Sequence, residues 1–73
     1  MNKIDADKLI VEYQQKICGF AMSKMRNIAD AEELASNIMI EIYKSFLKTD
    51  NLVNIEGYVY RIASNVYARF VDN

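Results

Sequence analysis

Proline, histidine and tryptophan are absent from this 73-residue chain, cysteine occurs once and glycine twice. One cysteine cannot close an internal disulfide, which excludes the small secreted scaffolds that depend on such staples. Without histidine and with a lone thiol there is no ligand set for structural zinc, and no imidazole for proton transfer near neutral pH. No apolar run approaches the roughly 18 residues that a membrane span needs. The amino terminus, MNKIDADKLI, carries acids where a signal peptide would have an unbroken apolar stretch. These absences predict a reduced, cytoplasmic, soluble domain. The length allows one domain with a thin core, since a chain of this size buries only about 60% of its unfolded surface. Ordering costs on the order of 1.5 kcal/mol per residue, so a partner or a further stretch of chain is expected to help hold it.

Charge is nearly balanced, with nine basic and ten acidic residues and a net of −1. It is unevenly spread: residues 1–29 carry a net of +2, residues 30–53 a net of −3, and the remainder is neutral. A pI near 5.2 argues against a stand-alone binder of duplex DNA. Any contact with nucleic acid must be local or assisted.

Hydrophobic spacing divides the chain into three amphipathic helices. The first is predicted over about residues 5–26, with Leu9, Ile10, Tyr13, Ile17, Phe20, Ala21 and Met25 on its apolar side. Asp5 or Asp7 can cap its start, and Gly19 is where it can bend. The second is predicted over residues 30–48, opened by Asp30 with Glu33 three residues on, and its stripe is Ala31, Leu34, Ala35, Ile38, Ile42 and Phe46. Thr49-Asp50-Asn51 reads as a turn and Leu52-Val53 as a connector. Asn54 caps a third helix over residues 54–70, with Ile55, Val59, Ile62, Val66 and Phe70 facing the core and Ala63 beside them. The fold class is therefore all-α, a small three-helix bundle, with Leu34, Ile38, Ile42, Phe46, Val59, Ile62 and Val66 in one core.

Few residues suggest chemistry. Cys18 follows the core position Ile17 and has no basic partner placed by sequence, so it reads as a small packed residue. Glu32, Glu33 and Glu41 read as a solvated helix face, and neither an enzyme, a metal nor a cofactor is expected. The third helix is more informative. Tyr58, Tyr60 and Tyr67 accompany Arg61, Asn65 and Arg69, which recur every four residues. Rings interleaved with guanidinium and amide groups make a surface for unstacked bases. Tyrosines closing the rim of a thin bundle would give the same pattern.

Two blocks together resemble a known family. The run DAEELASNIMIEIYKSF, residues 30–46, followed by IEGYVYRIASNVYARF, residues 55–70, is similar to region 2 of a bacterial RNA polymerase sigma factor, nearest the extracytoplasmic-function class. Asp30-Ala31-Glu32-Glu33-Leu34 resembles that family's DAEDL opening, with Glu33 in place of Asp. Tyr58-Val59-Tyr60-Arg61-Ile62-Ala63-Ser64-Asn65 resembles its aromatic-Leu-Tyr-Arg-Ile-Ala-x-Asn pattern. The chain departs from the family at Ser36-Asn37, where Gln-Glu or Gln-Asp is common, and at Phe70-Val71-Asp72-Asn73, which lacks the usual basic residues.

The resemblance implies a transcription initiation domain with two tasks and no catalysis. One is docking on the clamp coiled coil of the largest subunit of the RNA polymerase core, for which Glu33, Ser36, Asn37, Ile40, Glu41 and Lys44 are the candidates. The other is reading the single-stranded −10 element of promoter DNA, with a base held between the connector and the third helix. Asn51, Asn54, Tyr58, Tyr60, Arg61, Asn65 and Arg69 are the implied DNA-binding residues. An anti-sigma factor is a further partner of such domains, whereas a membrane or small-molecule substrate is not expected. The family continues into a second, helix-turn-helix domain, so residues 1–73 are expected to be one domain excised from a longer chain. The rival reading is a small helical protein-interaction module, an adaptor or self-associating bundle, that touches no nucleic acid.

Overall fold

The computed structural model describes residues 1–72, so the last residue of the non-basic end, Asn73, lies outside the described residues. Three α-helices follow in chain order: α1 (Lys3–Lys24), α2 (Ile28–Lys48) and α3 (Ile55–Asp72), with no strand among the described residues. At 1.5 Å per residue the 22 residues of α1 span about 33 Å. That nearly equals the 35 Å long axis of the molecule, so α1 sets its length.

Two helices start earlier than their apolar spacing predicts, because asparagine rather than aspartate caps them. Asn2 Oδ1 accepts the Asp5 backbone N–H at 2.8 Å. Asp7 is thereby left to pair with the Lys3 ammonium at 2.9 Å and to accept the Tyr43 hydroxyl proton. Asn27 Oδ1 likewise accepts the Asp30 N–H at 2.8 Å, while the Asn27 amide donates to the Asp30 carboxylate at 2.9 Å. Asp30 is thus the third residue of α2 rather than its cap. An asparagine both accepts and donates, and so serves the orphan N–H and the acid beside it together. Asn54 does cap α3: its Oδ1 accepts the Gly57 N–H at 3.1 Å. A Cβ at position 57 would lie 2.7 Å from Asn54 Nδ2, so glycine makes room for this cap. At Gly19 α1 is not interrupted and continues as one helix.

Helix α2 is the spine. Leu34, Ile38, Ile42 and Phe46 are wholly buried along it. Helix α1 contributes Ala6, Ile17 and Ala21, and α3 contributes Val59, Ala63 and Val66. The alanines on α1 let its backbone approach α2, leaving Leu9, Ile10, Tyr13, Phe20 and Met25 half-buried around them. Ile62, expected in the core, is also half-buried, because it stands at the edge of the Val59, Ala63 and Val66 stripe, where it borders a groove beside α2.

Polar and aromatic contacts close the edges. Lys16 of α1 pairs with Glu56 of α3, which holds the Glu56 carboxyl below its usual range and the Lys16 ammonium above its own. The Phe20 ring meets Tyr60 and Tyr67 edge-on at centroid distances of 6.0 and 6.2 Å. The Met1 ammonium donates to the carbonyls of Phe46 and Thr49, both at 2.9 Å, and lies 3.0 Å from the Asp50 carboxylate. It ties the exit of α2 to the start of α1.

Candidate nucleic-acid interface

Successive helical residues are rotated by 100°, so the polar side chains of α3 fall on separate strips. Arg61, Asn65 and Arg69 share one, and Arg61 and Asn65 are exposed to solvent with no core duty. Tyr60 and Tyr67, seven residues apart, share a different one and turn toward Phe20 of α1. The Lys24 ammonium lies over the Phe20 and Tyr67 rings at 5.5 and 5.4 Å. Tyr60 nevertheless keeps 63% of its surface in solvent. Tyr58 points the other way, toward the end of α2, where its hydroxyl lies 3.4 Å from Thr49 Oγ1. The hydroxyls of Thr49 and Ser45 hold the Tyr58 phenol below its ordinary range. The three tyrosines therefore form no single platform beside Arg61 and Asn65.

The connector is engaged in its own geometry. Asn51 adopts a left-handed backbone with φ of 60°, a conformation asparagine tolerates better than most residues. Asn54 spends its amide oxygen on α3. Eleven residues separate Asn54 from Asn65, about 16 Å along the helix axis. The sequence-expected pocket between connector and Asn65 is thus spread over two sites.

Asn65 instead opens onto a groove between α2 and α3. It holds about 490 Å³ and is lined by Glu41, Ser45, Ile62, Asn65, Ala68 and Arg69. Ser45 went unnoticed in the sequence, although it lies four residues after Glu41 and therefore on the same side of α2. A second, wider groove of about 800 Å³ lies between the first half of α2 and the end of α3. Asp30, Glu33, Asn37, Ile40 and Glu41 border it on α2, and Arg69, Phe70 and Val71 on α3.

The polymerase-docking candidates separate by burial. Glu33, Ser36, Asn37, Ile40 and Lys44 are exposed, whereas Glu41 is half-buried toward α3 on the ridge between the grooves. Ile40 keeps 53% and Leu47 41% of their surfaces in solvent, an apolar centre to an otherwise polar strip. Leu47 was not among the sequence candidates, because its position seven residues beyond Ile40 carries no polar signal. Among the described residues no group of carboxylates and thiols is placed to hold a metal ion, and no helix is long and apolar enough to cross a membrane.

No solved structure matches the chain. The family model of sigma-70 region 2 matches it over residues 9–72, which takes in the greater part of α1 and all of α2 and α3. The chain therefore belongs to the sigma-70 region 2 family, a domain of transcription initiation factors that binds RNA polymerase and takes part in promoter recognition.

Proposed function

We propose that this domain belongs to a sigma factor of the extracytoplasmic-function class and acts in the cytoplasm with two faces. Through α2 it docks on the clamp coiled coil of the polymerase's largest subunit. Through α3 it reads the separated strand of the −10 element. The observation that carries this reading is the division of unemployed surface. The strip of Glu33, Asn37, Ile40 and Lys44 on α2 and the strip of Arg61 and Asn65 on α3 are both exposed, and neither supports the core. A net charge of −3 over residues 30–53 favours a basic partner for α2, which chiefly sets encounter rate and orientation. Arg61 meets phosphate, and the Asn65 amide matches a base edge.

A photo-crosslinking amino acid placed at Ile40, and in a second protein at Met22 of α1, tests the docking face. Both positions are well exposed, so folding is preserved in each case. Ile40 is expected to crosslink to the largest subunit of added core polymerase and Met22 is not. Crosslinking from Met22 alone would move the docking face to α1.

A further inference from the structure

The groove between α2 and α3 collects polar side chains that packing does not employ. Among the described residues, Glu41, Asn65 and Arg69 enter no ion pair and no side-chain hydrogen bond. Together they border one space of about 490 Å³. A carboxylate only accepts hydrogen bonds, a guanidinium only donates, and an amide does both. The connector contrasts with this, since Asn54 caps α3 and Thr49 faces Tyr58.

Building on the proposed reading of single-stranded promoter DNA, we infer that this groove receives one extruded base and that Glu41 admits only bases bearing an exocyclic amine. Adenine, cytosine and guanine carry such a group, and its N–H donates to the carboxylate. Thymine has none. Its ring N–H is flanked by two carbonyl oxygens, whose lone pairs face a carboxylate unfavourably. Asn65 stands across the groove on α3, where its amide can serve the ring nitrogen next to the amine. Ile62 and Ala68 offer apolar surface to the ring. Arg69 borders the same space and offsets the Glu41 charge, so the anionic strand is not repelled from the groove. Glu41 differs in this from the exposed docking residues, for it is half-buried toward α3.

The test uses the chain assembled with core polymerase, and a single-stranded oligonucleotide library randomised across a promoter-length window. The wild-type complex should disfavour thymine at one position by roughly 5- to 150-fold, the discrimination one good base-edge pairing supplies. Glu41→Gln, whose amide can donate to a thymine carbonyl, should admit thymine there and leave preferences elsewhere unchanged. Affinity for core polymerase is measured alongside. The inference is overturned if the wild type accepts thymine everywhere, or if the variant keeps rejecting it. Loss of core affinity with base choice intact would place Glu41 in the docking strip and overturn it equally. Capture of every sequence alike by the wild type would instead remove the underlying reading of a base-selecting domain.

Discussion

Replacing Asn65 by alanine should raise stability while lowering recognition. Asn65 is exposed on α3 and holds no described hydrogen bond, so truncation leaves no buried polar group unpaired. Alanine also suits a helix interior better than asparagine, by roughly 0.5 kcal/mol. In a domain of this size that corresponds to a rise of about 2–4 °C in Tm. Base readout moves the other way. Losing the amide contact to a base edge should cost about 1–3 kcal/mol in discrimination at a single −10 position. Thermal circular dichroism measures the first effect. Competition between oligonucleotides that differ at one base, with core polymerase present, measures the second. A fall in Tm of several degrees would mean that the amide does structural work. A uniform loss of affinity for every base at every position would mean that Asn65 supports the backbone path and reads nothing.

Arg61→Ala should weaken binding to all sequences alike and reduce the slope of log K against log salt by about 0.7, one single-strand phosphate contact; a sequence-dependent loss would contradict this. Ile38 is wholly buried on α2, so Ile38→Ala should cost about 2–5 kcal/mol and unfold most of the population in a thermal or urea titration, whereas a near-normal midpoint would refute the core assignment. The Tyr43 hydroxyl first, and then Lys3, hold the Asp7 carboxyl below its usual range. A carboxyl lowered on folding adds stability above its unfolded value and loses it as pH falls, so stability should decline below about pH 4. Asp7→Asn should flatten that acid limb in urea midpoints taken at stepped pH, and an unchanged limb would show that the pair contributes nothing.

The helices were legible because the apolar residues of α2 and α3 recur at three and four, and nothing competes with that period. Helix starts were less so. Asp30 with Glu33 imitates a capping box, but Asn27 stands three residues before Asp30 and makes the reciprocal pair instead. Both asparagine and aspartate cap well, and the choice between neighbouring caps depends on how the preceding chain turns, which spacing does not encode. Ile62 went astray for a related reason. Apolar spacing says which residues share a face, whereas how closely α2 packs decides how wide that face is: Val59, Ala63 and Val66 are buried on both sides of Ile62, which is left at the edge.

The site was legible as a list of residues and not as an arrangement. Arg61, Asn65 and Arg69 were bound to share a strip at four-residue spacing, and they do. Tyr58 and Tyr60 stand about 200° apart on a helix, so no packing could have joined them in one platform. Their destinations depended on partners far away in sequence: Phe20 for Tyr60, and Thr49 for Tyr58. Glu41 is the instructive case. On α2 alone it is one more acid beside Glu33, yet α3 half-buries it and sets it across from Asn65 and Arg69. A residue's neighbours on its own helix define its charge environment only until a second helix arrives. If the proposed reading holds, the two faces of this domain meet at that residue, and the choice of base is tied to the surface next to the docking strip.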